Sequence, residues 1–82
     1  SKVAMVDFAF TPTRTQVKAG DSVTFTNSGS LAHTATSVDG AGFDTGLVDP
    51  GQSATVEFDQ PGTYTYVCTP HPFMVAQLIV TP

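Results

Sequence analysis

Along most of the chain, apolar side chains recur at every second position rather than every third or fourth. The runs are short, rich in β-branched and aromatic residues, and bounded by Gly, Pro, Asn and Asp. This periodicity predicts strands at Val3 to Phe10, Thr15 to Lys18, Ser22 to Thr26, His33 to Ser37, Ser53 to Phe58, Thr63 to Cys68 and Ala76 to Thr81. Ala19-Gly20-Asp21, Asn27-Ser28-Gly29, Asp49-Pro50-Gly51 and Gln60-Pro61-Gly62 supply the bends between them. About seven to eight short strands so punctuated predict an all-β sandwich. The stretch from Asp39 to Asp49, with three glycines, is the least regular and reads as a surface loop or a broken edge strand.

Side-chain parity then assigns the faces. Tyr64, Tyr66 and Cys68 share one side of their strand, opposite Thr63, Thr65 and Val67, so the larger groups and the thiol are expected inside. Met74 has the parity of Leu78 and Val80, and Val23 with Phe25, Val56 with Phe58, and Phe8 with Phe10 form further apolar pairs. Cys68 is thereby expected at one rim of an aromatic and β-branched core.

At 82 residues the chain is expected to form one domain, 1–82, close to the size at which folding needs extra help. Its single cysteine excludes an internal disulfide and turns attention to a bound metal. Charged residues are only 12% of the chain and the net charge is −4, which disfavours nucleic acid and anionic membranes and favours a basic protein partner. Asp39, Asp44, Asp49, Glu57 and Asp59 are candidates for steering such a partner. No apolar run approaches the roughly 20 residues of a membrane span. With no signal peptide at Ser1, the chain reads as a mature form or an excised domain, and it is expected to be periplasmic or extracellular and monomeric.

The segment "VCTPHPFM" places Cys68, His71 and Met74 at even three-residue spacing. Singly, a buried cysteine is a small hydrophobe and a methionine a gap filler. Together, a thiolate at a strand end, an imidazole and a thioether converge if the intervening chain is a tight loop. Pro70 and Pro72 pre-shape such a loop by fixing two φ angles and restricting the residues before them. His33 is the other of the two histidines and must supply a second imidazole. One thiolate, two imidazoles and a weak thioether suit one copper ion, whereas zinc collects four strong ligands. The metal ligands expected are therefore His33, Cys68, His71 and Met74.

The run "FTPTRTQVKAGDSVTFTN", then "AHT" and "FDTG", then "PGTYTYVCTPHPFM" and "LIV", resembles the cupredoxins, the small blue copper proteins, over nearly the whole chain. The ligand loop is similar to the amicyanin type, and the stretch from His33 through Phe58 to the short plastocyanin and halocyanin types. The resemblance implies a Greek-key β-sandwich, no enzymatic activity, and one-electron transfer to a redox protein docking on the apolar surface around His71, Pro70, Pro72 and Phe73, with Leu31 near His33. It also implies a hydrogen bond from the Thr34 backbone N–H to the Cys68 sulfur. Many relatives carry Asn where this chain has Thr34, and there the Asn side chain helps lock the ligand loops together. In this chain the Thr34 hydroxyl is the candidate for part of that role. Relatives also carry a glycine soon after the methionine, where this chain has Val75-Ala76.

Other readings are a copper carrier or storage domain, an engineered minimal cupredoxin without a physiological partner, and a red-copper enzyme, which would want a harder axial ligand than Met74. A thiol hydrolase using Cys68 with a histidine would also need an orienting group and an oxyanion site. A metal-free immunoglobulin-like domain leaves the proline-bracketed loop unexplained.

Overall fold

Strand β1 (Lys2–Val6) carries Val3 and Met5 inward, at odd positions, whereas the next buried side chain of the run, Phe10, is at an even one. A continuous strand cannot bury both sets on one face. The chain resolves the conflict by breaking: β1 ends at Val6, Asp7 and Phe8 make a two-residue turn, and β2 (Ala9–Thr11) pairs back on β1 with Val6 opposite Ala9. The single strand expected from Val3 to Phe10 is thus two, and Phe8 is exposed at the turn rather than paired with Phe10 in the core.

The computed structural model describes residues 1–38 and 43–82. After β2 come β3 (Arg14–Lys18), β4 (Asp21–Asn27), β5 (Thr36–Ser37), β6 (Ser53–Phe58), β7 (Gly62–Cys68) and β8 (His71–Thr81). They form two four-stranded sheets, ordered β2-β1-β4-β6 and β3-β8-β7-β5, with no helix among the described residues. β1 runs parallel to β4 and β3 parallel to β8, while the other neighbours are antiparallel. The sandwich expected from the periodicity is therefore the fold.

Two further boundaries differ from expectation. The strand expected at His33 to Ser37 is regular only at Thr36–Ser37; His33 instead makes an isolated bridge to Val48, and Thr36 another to Asp44. From 43 to 49 the irregular stretch is in part a broken edge strand, bridged at Asp44 and Val48 to the chain that carries His33. Asp39 and two of its glycines, Gly40 and Gly42, lie outside the described residues. The last strand begins at His71, five residues earlier than expected, because His71 pairs with Cys68 and Val75 with Val67 on either side of an unpaired bulge.

The core lies between the sheets. Phe10, Phe25 and Phe43 gather around Tyr66, with Phe10 at 4.8 Å and Phe25 at 5.6 Å from its ring, both edge-on, and Phe58 packs edge-on against Phe43. Such pairs add about 0.5–1.5 kcal/mol beyond the area they bury. Val3, Val17, Val23, Leu78 and Val80 fill the space around the aromatic cluster. The Tyr66 hydroxyl is buried without a hydrogen-bond partner among the described residues, and burial pushes its phenol well above the usual tyrosine range. Tyr66→Phe is therefore expected to stabilise the protein by about 1 kcal/mol, by removing an unpaired buried hydroxyl. A rise in the urea midpoint at constant m-value would show it; a fall would mean that the hydroxyl is satisfied.

Candidate metal centre

Cys68 and His71 are register partners across the two-residue turn Thr69-Pro70 that joins β7 to β8. The preceding pair is Val67 with Val75, so residues 72–74 of β8 have no counterpart on β7. Ordinary alternation along β8 then turns Phe73 to solvent, 67% exposed, and buries Met74 at 1% on the face of Leu78 and Val80. The two prolines fit because neither N–H is needed for pairing at the turn or the bulge.

The second imidazole arrives from the other side of the site. Asn27, at the end of β4, is buried, and its amide donates to the carbonyls of Leu31 (2.7 Å) and Val48 (2.8 Å) while its Oδ1 accepts the Gly29 N–H (2.9 Å). His33 and Val48 then exchange backbone hydrogen bonds of 3.1 and 2.8 Å. Asn27 therefore sets both the loop leading to His33 and the strand against which His33 lies. From the sequence it reads only as a turn residue.

These elements bring three donor atoms together. The Cys68 sulfur lies 3.4 Å from Nδ1 of His33 and 3.6 Å from Nδ1 of His71, and the three ligand atoms all lie within 4.8 Å of one another. His33 and Cys68 are fully buried and His71 is half-buried. The Thr34 N–H donates to the sulfur at 3.4 Å, as the resemblance implies. The Thr34 hydroxyl accepts the Thr69 N–H at 2.9 Å and meets the Thr69 hydroxyl at 3.2 Å, so threonine ties the two ligand segments together. Its hydroxyl also meets that of Thr36, which donates to Asp44.

Two residues at the site escape a reading by sequence alone. Nε2 of His33 lies 3.1 Å from Oδ1 of Asp7 in the β1–β2 turn. The Ser30 hydroxyl first and His33 second hold the Asp7 carboxyl down to about 2, with burial opposing them and the backbone N–H groups of Ser30 and Leu31 adding smaller support. Phe8, the next residue, has φ of 71°, a conformation that costs a non-glycine residue about 1–3 kcal/mol. That conformation places its exposed ring 5.4 Å from the ring of His71 and 5.6 Å from that of Phe73. No periodicity could have revealed either contact, since both depend on a turn hidden inside an apparently continuous strand.

The donor set fits copper. Two imidazole nitrogens and a sulfur converge in a shielded pocket, and the sulfur receives an N–H that partly balances its charge. The comparisons agree: residues 1–81 match the family of copper binding proteins described as plastocyanin/azurin. Amicyanin-alpha of Methylorubrum extorquens is 36% identical over 98% of this chain and 71% of its own length. A reduced amicyanin variant superposes with a TM-score of 0.89 at 31% identity, over 98% of this chain and 80% of that one. A copper-containing nitrite reductase from Thermus scotoductus matches with a TM-score of 0.91 at 28% identity, over 99% of this chain but only 22% of the enzyme. The chain spans about half the length of two further amicyanins that it matches.

Fold and donor set thus define a cupredoxin domain of the blue, type 1 copper class. The chain belongs to the plastocyanin/azurin family of copper binding proteins, and its site is that of an electron carrier with copper as cofactor.

Proposed function

We propose that residues 1–82 form one copper domain that shuttles single electrons between protein partners without catalysing a reaction of its own. In this reading copper is held by His33, Cys68 and His71, with Met74 as the weaker fourth ligand. The observation that carries it is the convergence of the three strong donors beneath one apolar rim, with His71 at its edge. When bound, copper supplies one-electron chemistry between Cu(II) and Cu(I).

The chain's own residues do the rest. The Thr34 to Thr69 hydrogen bonds and the Asn27 network hold the donors in place before metal arrives, so little ordering is left for the metal to impose. Burial of His33, Cys68 and Met74 excludes water from the inner side. His71, half-buried between Phe8 and Phe73, is the path to the surface. Phe8, Phe73 and the neighbouring Pro70 and Pro72 present an exposed apolar patch of the kind that docks a transient redox partner. Of the acids available to steer a basic partner, Asp44 also accepts local hydrogen bonds from Thr36 and the Gly46 N–H.

One equivalent of Cu(II) is expected to give an intense thiolate-to-copper visible band that one electron per chain bleaches reversibly. Turnover of nitrite by the loaded protein would instead place the chain with the copper enzymes. Phe73→Glu is expected to slow electron self-exchange about tenfold or more, because desolvating the new carboxylate at the contact costs more than about 1.4 kcal/mol. The visible spectrum should not change, and an unaltered rate would move the electron's path away from His71. No helix among the described residues is long and apolar enough to cross a membrane. A monomer in the periplasm or outside the cell completes the proposal, to be checked by cell fractionation and sedimentation.

A further inference from the structure

We propose that Asp7 is a positioning residue for the copper site, a carboxylate that accepts the Nε2–H of His33 and, through that ring, lowers the reduction potential. The inference rests on His33 being a copper ligand, as proposed above.

The geometry of His33 leaves one role for each ring nitrogen. Nδ1 faces the Cys68 sulfur at 3.4 Å, and Nε2 faces Asp7 Oδ1 at 3.1 Å on the opposite side of a ring with no solvent exposure. A proton on Nε2 satisfies the carboxylate and leaves the Nδ1 lone pair free for metal. The contact therefore selects the tautomer as well as the orientation of the ring, which is the usual work of an outer-shell partner.

Asp7 is itself fixed. Its Oδ2 accepts the Ser30 hydroxyl at 2.6 Å, and its Oδ1 accepts the backbone N–H groups of Ser30 at 3.0 Å and Leu31 at 3.3 Å. The Ser28 N–H donates to the Met5 carbonyl at 2.8 Å, pinning the same loop to the end of β1. A Cβ on Gly29 would collide with the Asp7 carboxylate, so the backbone is in direct contact with it. The loop that leads into His33 thus wraps around the carboxylate that His33 contacts. The sharp turn through Phe8 brings Asp7 to this place, and a strand that continued past Val6 would not.

The electrostatic consequence has a definite sign. A negative charge hydrogen-bonded to a ligating imidazole makes the ring a stronger donor and favours the more positive metal. Cu(II) is held more tightly relative to Cu(I) than it would be beside a neutral partner, which lowers the potential. Asp7→Asn tests the charge alone. The amide oxygen can stay where Oδ1 is, toward His33 and the two backbone N–H groups, while the amide nitrogen replaces Oδ2 and donates to the Ser30 hydroxyl.

The copper-loaded protein and its Asp7→Asn variant are compared by voltammetry at one neutral pH. The variant is expected to keep the visible band while the Cu(II)/Cu(I) affinity ratio falls about tenfold, a rise in potential of about 59 mV. A ratio changed by less than about twofold, with the band intact in both proteins, overturns the role of Asp7 and leaves the copper reading standing. Absence of the band from the unaltered protein overturns both. Should the variant fail to fold or load, nitrogen-resolved NMR of the unaltered Cu(I) protein decides. The Nε2–H signal of His33 is expected well downfield of that of His71, and an ordinary position for it overturns the proposal.

Discussion

Replacing Cys68 by serine is expected to abolish the intense visible band of the copper-loaded protein altogether. That band requires a sulfur-to-copper bond, and Cys68 is the only cysteine of the chain. Copper affinity should fall by more than the roughly 10–100-fold that loss of an outer-shell partner costs a metal site, because a strong soft donor is replaced by a weak one. The fold should survive: the change is nearly isosteric, and the Thr34 N–H that donates to the sulfur can donate to a hydroxyl instead. The absorption spectrum and copper stoichiometry of the variant give the answer, and a band that persisted would remove Cys68 from the site.

The second large effect lies outside the ligand set. Asn27→Ala removes one side chain that makes three hydrogen bonds in a buried place, two to carbonyls and one from an N–H. The Val48 carbonyl keeps the His33 N–H as a partner, whereas the Leu31 carbonyl and Gly29 N–H lose theirs to the side chain. Both are only partly buried, so each falls at the low end of the about 1–3 kcal/mol that an unpaired buried group costs, and a loss of about 1–2 kcal/mol is expected. For a domain of this size that is a large share of the total stability. Urea unfolding of both proteins without copper keeps metal linkage out of the comparison. The copper-loaded variant should also show a weakened or heterogeneous band, because the segment that presents His33 loses its anchor. A loss below about 0.5 kcal/mol would mean that water or neighbouring groups replace the amide.

The contrast between these residues marks what each level of structure contributes. Cys68 and His71 are legible in the chain as a donor pair because they face each other across one turn, where local geometry alone brings them together, and Met74 is legible as an inward side chain of β8. His33 is legible by count, since no other imidazole is available to complete the set. The inward parity of Tyr66, Cys68, Leu78 and Val80 also follows from alternation along single strands. Each of these features depends on residues near one another in sequence or on a census of donor types, which a linear reading can use.

Thr34 stands between the two cases. Family resemblance pointed to its backbone donating to the Cys68 sulfur, but whether its hydroxyl could reach the opposing loop depended on the separation of Thr34 and Thr69 in space, 35 residues apart along the chain. Asp7, Phe8 and Asn27 lie fully on the other side. By alternation Phe8 belongs inside with Phe10, and Asp7 is an ordinary surface acid. The parity mismatch between Met5 and Phe10 is present in the sequence, yet the place where the strand breaks is set by the β1–β2 pairing and by the loop 28–31 closing around the carboxylate. Alternation is enough to predict the sandwich and donor chemistry is enough to nominate the candidate ligands, because both are properties of residues taken one strand at a time. Which groups contact His33 and that Phe8 lies over His71 follow from the packing of the sheets, because those contacts join segments that share no strand and exist only after the two sheets close.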